Sequence, residues 1–185
     1  MSEVTRLLQA ARIDKVDPTD RLFGLLYAEL RSLARRQLRR QDHARSLDTT
    51  VLVHESYFRL RNRGVLELED RNHFLAYAAR VMRTVIVDMA RSRLAEKRGA
   101  NQVVTLRTSI GEAASASDRD VVRLHEALEE LAKIEPRLAR LVELRYFAGL
   151  SESEAAEALG VAKRTAQRDW EKARMFLFAT LQPEA

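Results

Sequence analysis

Apolar residues recur along most of this chain at intervals of three and four, the spacing that places them on one face of an α-helix. The pattern predicts a short amphipathic helix over residues 2–13, a longer one over 18–40 and a third over about 50–61. After a loop over residues 63–71, a long helix is predicted over 72–98. Alternating strand patterns are nearly absent, so the sequence predicts an all-α fold.

The helical pattern is interrupted over residues 99–117, where glycine and serine recur, and we interpret this stretch as a flexible linker. It would join two small helical domains, residues 1–98 and residues 118–185. In the second domain, we expect Asp118 to cap a helix and Pro136 to begin another. These helices would form a four-helix domain together with the hairpin that follows.

Residues 150–181 predict that hairpin, two helices joined by a tight turn. Ser151 and Glu154 have the spacing of a capping box, and Gly160 stands where the first helix would end in a left-handed residue. The second helix would bury Ala166, Trp170, Ala173 and Leu177. Its opposite face, near the N-terminus, carries long side chains that can donate hydrogen bonds: Lys163, Arg164, Gln167 and Arg168. A DNA-reading helix-turn-helix has this layout, although a plain helical hairpin with a solvated basic face shares it.

The amino-acid composition favours some classes of function and excludes others. The 185 residues include 32 Lys and Arg against 27 Asp and Glu, a net charge of +5 that suits a polyanionic partner. The chain has no cysteine, which excludes disulfides and thiolate metal sites and fits a reducing cytoplasm. The histidines lack metal-ligand spacing, no run is long enough to span a membrane, and no catalytic constellation or phosphate loop appears. We therefore expect a cytoplasmic protein without metal, cofactor, membrane association or enzymatic activity.

Two basic stretches leave alternatives open. Residues 35–40 fit either a solvated helix end or a contact with phosphate or a partner. The long helix over 72–98 combines aromatic residues with arginine, which can stack on unpaired bases and hold a nucleic-acid backbone. A place in the hydrophobic core is the alternative for Phe74 and Tyr77.

The order of these blocks resembles an extracytoplasmic-function (ECF) sigma factor of bacterial RNA polymerase, in the sigma-70 family, over about residues 18–181. Residues 52–60, LVHESYFRL, are similar to the family's region 2.2. Residues 150–174, LSESEAAEALGVAKRTAQRDWEKAR, are similar to its region 4.2. Between them, Phe74, Tyr77, Arg83 and the pair Val87 and Asp88 fall where regions 2.3 and 2.4 carry their aromatic, Trp, Arg and Ile-Asp.

The resemblance implies a factor that binds core polymerase, through its β′ clamp helices and β flap, and directs it to promoter DNA. The residues implied to meet the polymerase are Asp48, Leu52, Glu55, Phe58 and Arg59. Those implied at the −10 element are Phe74, Tyr77, Arg80, Arg83 and Arg91. Those implied at the −35 element are Lys163, Arg164, Thr165, Gln167, Arg168 and Lys172. An anti-sigma partner is neither required nor excluded, and a helix-turn-helix regulator that does not act as sigma is the alternative function.

One departure from the family pattern points to regulation. The family carries an acidic D-A-E-D motif where this chain has Asp48, Thr49, Thr50 and Val51, so two carboxylates expected against a basic clamp surface are missing. Phosphorylation of Thr50 by a Ser/Thr kinase, with Thr49 as second choice, would restore negative charge at a helix N-terminus. The resemblance implies such kinase control for the subgroup that lacks the motif. The alternative is that both threonines only cap the helix.

Overall fold

The computed structural model describes residues 3–14, 17–40, 48–63, 68, 70–99 and 108–182, and all regular secondary structure in these ranges is helical. The all-α prediction is therefore confirmed. The helices are α1 (Glu3–Asp14), α2 (Thr19–Leu25), α3 (Tyr27–Arg40), α4 (Thr49–Arg63), α5 (Arg71–Gly99), α6 (Thr108–Ile134), α7 (Pro136–Val142), α8 (Glu152–Ala158) and α9 (Lys163–Leu181), with a π-helical segment, Glu143–Phe147, after α7. Most of the predicted loop over 63–71 and part of the predicted linker, residues 100–107, lie outside the described residues.

One apolar core extends through both halves of the chain. Phe74 and Met82 of α5 lie in the same buried cluster as Leu128 and Leu131 of α6 and Phe147 of the π segment. Among the described elements, α5 makes its most extensive contacts with α6. The N-terminal half, α1–α5, therefore packs directly against the C-terminal half, α6–α9, through side chains that water cannot reach.

The beginning of α6 differs from the sequence prediction. Asp118 does not cap this helix, because α6 already begins at Thr108. The residues between include several alanines, which favour helix without producing an apolar period. Asp118 is instead 2% exposed and accepts hydrogen bonds from Arg93 of α5: Nη2 donates to Oδ1 at 2.6 Å, and Nε is shared between Oδ2 at 3.1 Å and Oδ1 at 3.2 Å. It thus ties α6 to α5.

A glycine closes the end of the π segment against the N-terminal half. The N–H of Ala148 donates to the carbonyl of Glu143 at 2.8 Å, the bond over five residues that defines a π turn. Gly149 follows with φ +74, and a Cβ at this position would overlap the guanidinium of Arg36, which donates to the carbonyl of Ala148. The positive φ favours glycine here, and the absence of a Cβ leaves room for the guanidinium of Arg36. For residues 35–40 we considered a solvated helix end or a contact with phosphate or a partner. Arg36 follows neither, because it contacts another part of the same chain.

Both predicted ends of the first helix of the hairpin, α8, are confirmed. The N–H of Glu154 donates to Ser151 Oγ at 3.3 Å, and the N–H of Ser151 donates to Glu154 Oε2 at 2.8 Å. Hydrogen bonds from the Ser151 hydroxyl and then from its N–H lower the pKa of the Glu154 carboxyl. Gly160 follows the helix with φ +64, a conformation that glycine adopts without strain.

We predict that Ser151→Ala lowers the free energy of unfolding by about 1 kcal/mol, because it removes a capping side chain. Thermal or denaturant unfolding followed by circular dichroism measures this loss. A group with a lowered pKa in the folded state stabilises the fold above its unfolded pKa, and this stabilisation is lost as the pH falls through the folded value. The difference between variant and wild type should therefore be largest near neutral pH and shrink in acid.

Ser153→Ala is the matched control, because Ser153 is exposed in the first turn of the same helix and has no part in the capping box. Equal stability of the two variants at neutral pH would contradict the assigned role of Ser151.

Candidate nucleic-acid interface

Small side chains let α8 and α9 cross closely. Ala155 and Ala156 of α8 and Ala166 of α9 are buried in one cluster with Leu141 and Leu144. Because none of the three alanines extends beyond Cβ, the two helix backbones can approach each other at this crossing. This packing fixes the second helix relative to the first, as a helix-turn-helix requires.

Two contacts anchor the inward face of α9. Arg137 of α7 donates to both carboxylate oxygens of Asp169, Nε to Oδ2 at 2.8 Å and Nη2 to Oδ1 at 3.2 Å. Asp169 is only 3% exposed, so this pairing compensates a charge held away from water. The second contact comes from the π segment, where the guanidinium of Arg145 lies 4.3 Å from the centre of the Trp170 ring. Neither Arg137 nor Arg145 was predicted from the sequence.

The outward face of α9 carries the side chains predicted for DNA contact. Thr165 is half-buried, and the other predicted side chains are exposed: Lys163, Arg164, Gln167, Arg168 and Lys172. The structure therefore brings this predicted set together on one accessible surface, beginning at the first turn of the helix.

An acidic residue that the sequence analysis missed lies beside this surface. Glu152 Oε1 accepts a hydrogen bond from Gln167 Nε2 at 2.8 Å and lies 3.6 Å from Lys163 Nζ. Glu152 thereby orients two of the side chains predicted to contact DNA. The sequence signal that could have indicated this contact was the position of Glu152 in the first turn of α8, which faces a basic helix.

On α4, the residues predicted to meet the polymerase divide between surface and core. Phe58 is 56% exposed and Glu55 is exposed beside it. Arg59 is partly exposed and pairs with Asp88 of α5 at 2.7 Å. Leu52, however, is fully buried in the core, which corrects its assignment to a binding surface. Leu52 instead packs α4 against the core.

The start of α4 is capped by Asp48, whose Oδ1 accepts the N–H of Thr50 at 2.6 Å. Hydrogen bonds from the Thr50 backbone and side chain lower the pKa of Asp48, and the positive charge of Arg31 acts in the same direction. The capping acceptor is thus Asp48, so the alternative in which Thr49 and Thr50 act as the caps does not describe this helix. Thr50 is exposed and Thr49 is half-buried.

The arginines of α5 predicted for the −10 element face the C-terminal half. Arg80 Nε lies 3.6 Å from Glu143 Oε1, and Arg91 Nη2 lies 3.5 Å from Glu126 Oε1. Between them, Arg83 Nη2 lies 2.9 Å from Glu143 and 3.5 Å from Glu129. These three arginines, Arg80, Arg83 and Arg91, form what we call the arginine row. Each is paired with a carboxylate of α6 or the π segment.

Arg83 is the buried centre of this contact, with 2% of its side chain exposed. Its Nη1 meets Nδ1 of His125 at 2.5 Å, and its guanidinium lies 5.4 Å from the centre of the Phe147 ring. Burial is the main cause that lowers the pKa of His125, and the positive charge of Arg83 lowers it further. A lowered pKa favours the neutral imidazole, whose Nδ1 can accept the hydrogen bond from Arg83.

The two aromatic residues predicted at the −10 element are not on an open surface. Phe74 is fully buried in the shared core, which corrects its assignment as a DNA contact. Tyr77 is half-buried and packs against the same core. The core alternative stated for both residues thus describes Phe74 fully and Tyr77 in part.

Comparison with known proteins gives one match, a family model described as ECF sigma factor, which covers residues 1–183. Neither the comparison with curated proteins nor that with solved structures gave a match. Within the described ranges, no helix is long and apolar enough to cross a membrane. The same ranges contain no cluster of three or more side chains suited to hold a metal ion.

We predict that Arg137→Ala lowers the thermal unfolding midpoint by several degrees, because it leaves the carboxylate of Asp169 buried without its guanidinium partner. The double variant Arg137→Ala/Asp169→Asn should recover part of this loss, since it also removes the unpaired charge. Differential scanning calorimetry measures both.

Arg140→Ala serves as the control, because Arg140 is an exposed arginine on the same helix. If Arg137→Ala and Arg140→Ala unfold at the same temperature, the Arg137–Asp169 pair does not anchor α9.

Proposed function

The chain belongs to the ECF sigma factors, and on that premise we propose how its surfaces divide among polymerase, promoter DNA and a kinase. Members of this family are transcription initiation factors, not enzymes, and they bind core RNA polymerase and promoter DNA. The family match over nearly the whole chain favours a sigma factor over a regulator that acts without polymerase.

The proposed reader of the −35 duplex is the outward face of α9. Its exposed Arg164, Gln167 and Arg168 project from the N-terminal turns, where a recognition helix meets base edges. Lys163 and Lys172 would contact phosphates, which set affinity and register without reading sequence. The single observation that carries this assignment is that one side of α9 is anchored through Asp169 and Trp170, while Arg164, Gln167 and Arg168 are exposed on the other side of its first turns.

The proposed polymerase contact is the exposed face of α4. Phe58 offers an apolar side chain at the surface, with Glu55 and Arg59 as charged neighbours. A central apolar residue within a polar surround is the usual anatomy of a protein interface. In the family, such contacts are made to the β′ clamp helices, and the β flap would be met by the C-terminal half.

The proposed −10 contact is the arginine row of α5 together with Tyr77. Guanidinium groups can hold the phosphates of an unpaired strand, and a tyrosine ring can stack on a base. Leu52 and Phe74 are left out of these contacts, because both are apolar side chains buried in the hydrophobic core, whereas Arg83 is buried against charged and polar partners.

The proposed regulatory site is Thr50, with Thr49 second. Three features support it: Thr50 is exposed, it lies at the N-terminus of a fifteen-residue helix, and Arg31 is close enough to influence the neighbouring Asp48. A phosphate there would compete with Asp48 for the free N–H groups of α4. It would add about −1.5 to −2 charges where the family's acidic motif is lacking. A Ser/Thr kinase would supply the phosphate.

For the −35 assignment, we predict that Arg164→Ala weakens binding of the holoenzyme to its promoter about ten- to a hundredfold, since a bidentate contact to guanine contributes ~1–3 kcal/mol. The promoter is first selected from a random DNA pool with wild-type holoenzyme. Run-off transcription from that template then tests sigma activity itself, and Arg140→Ala is the charge-matched control. Equal promoter affinity of the two variants would remove Arg164 from the interface.

For the switch, we predict that protein phosphorylated at Thr50, made by encoded phosphothreonine, binds core polymerase about tenfold more tightly than unmodified protein. Thr50→Glu should give a smaller gain, and Thr50→Ala should behave like unmodified protein. Phosphorylation at Thr49 in place of Thr50 distinguishes the two sites. Unmodified protein that binds core as tightly as the phosphorylated form would end the switch hypothesis.

A further inference from the structure

Glu152 of α8 is an acidic side chain at the edge of the surface proposed to meet duplex DNA. Its Oε1 accepts a hydrogen bond from Gln167 Nε2 at 2.8 Å and lies 3.6 Å from Lys163 Nζ. DNA phosphates repel a carboxylate beside them, and the ammonium group of Lys163 offsets this repulsion. Glu152 can therefore remain next to the DNA-facing surface while it holds Gln167.

The position of Glu152 is fixed by the start of α8. Glu152 is the first residue of this helix and follows Ser151, whose capping box with Glu154 sets the path of the backbone here. Its side chain is 24% exposed, against 61% for that of Lys163. A less exposed side chain has fewer rotamers open to it, so the carboxylate orients the exposed side chain of Gln167 rather than following it.

The hydrogen bond to Glu152 determines which way the amide of Gln167 points. A glutamine amide has two N–H donors on its nitrogen and acceptor lone pairs on its oxygen, whereas an ionised carboxylate only accepts. The carboxylate of Glu152 must therefore face the nitrogen of the Gln167 amide and not its oxygen. One N–H group is used by this bond, which leaves one N–H donor and the carbonyl oxygen for a second partner.

One donor and one acceptor match adenine better than guanine. In the major groove, adenine presents the acceptor N7 beside the donor N6, whereas guanine presents two acceptors, N7 and O6. Both N–H groups of a glutamine would have to turn towards guanine to satisfy its two acceptors. Because Glu152 holds one of these groups, guanine would be left with an unpaired acceptor, and such a group is costly in a contact from which water is excluded.

We propose that Glu152 is a positioning residue that makes Gln167 select adenine over guanine in the −35 duplex. This inference rests on the proposed −35 role of α9. Glu152 does not itself contact the base and acts only through the amide of Gln167. The neighbouring Arg164 and Arg168 carry guanidinium groups, which pair with guanine, so the adenine preference belongs to the base pair that Gln167 meets.

The experiment first identifies that base pair. Promoters are selected from a random DNA pool with holoenzyme that contains either the wild-type chain or Gln167→Ala. The base pair whose preference disappears in the variant is the one that Gln167 meets. We expect the wild type to select adenine there, and selection of another base would overturn the proposal.

The second step removes the positioning residue and measures base preference. Holoenzyme with Glu152→Ala is titrated against two promoters that differ only in adenine or guanine at the identified position. We expect wild type to prefer adenine about tenfold and the variant about twofold, since a good bidentate pair contributes ~1–3 kcal/mol of discrimination. A folding defect in α8 would weaken binding to both promoters alike, so it would leave this ratio unchanged.

Two controls separate positioning from charge. Glu157→Ala removes the same charge from an exposed position of α8, so it should strengthen binding to both promoters alike and keep their ratio. In a Gln167→Ala background, Glu152→Ala should change the ratio no further, because the amide through which it acts is gone. The proposal is wrong if Glu157→Ala lowers the ratio as far as Glu152→Ala does, or if Glu152→Ala still lowers it without Gln167.

Failure of this inference is distinguishable from failure of the proposed function. If Arg164→Ala and Gln167→Ala each abolish a base preference in the −35 element but Glu152→Ala keeps the adenine-to-guanine ratio, the positioning role is wrong and the −35 assignment stands. If neither Arg164→Ala nor Gln167→Ala changes any base preference, the −35 assignment of α9 fails, and this inference fails with it.

Discussion

The guanidinium of Arg83 is the constraint on which the arrangement of the two halves depends. A charge this far from water requires partners, and Arg83 takes all of its described partners from the C-terminal half: Glu143, Glu129 and the imidazole of His125. Removing them without replacement would leave an uncompensated charge against apolar side chains. The halves can therefore part only if Arg83 gains water or another anion in place of these partners.

Local periodicity explains how much of the fold could be predicted. The long helix was placed at residues 72–98 and is α5, Arg71–Gly99, because its apolar residues keep a helical period throughout. The capping box at Ser151 and the left-handed Gly160 were equally readable, since each is a property of a few adjacent residues. The start of α6 was missed because its first turns carry alanine and serine without an apolar stripe. The π segment was missed because nothing in its composition distinguishes it from an α-turn.

The candidate sites show the same division between local and long-range information. The exposed donors of α9 were predictable, since helical period alone assigns them a face opposite Ala166 and Ala173. Phe74 was misassigned, because period identifies a face but not what covers it. The pairing of the arginine row with Glu126, Glu129 and Glu143 joins helices that are distant along the chain, and a basic residue beside aromatic ones looks the same whether its partner is a phosphate or a carboxylate.

The proposed phosphorylation site and the arginine row are separate groups of residues. A phosphate on Thr50 adds charge beside Asp48 and Arg31, at the start of α4, and supplies no partner for Arg83. Phe58 and Glu55 of α4 are exposed, whereas Arg83, the centre of the arginine row, is buried. The surface proposed to meet the polymerase is thus exposed in this structure, whereas the central arginine proposed to hold a DNA strand is not.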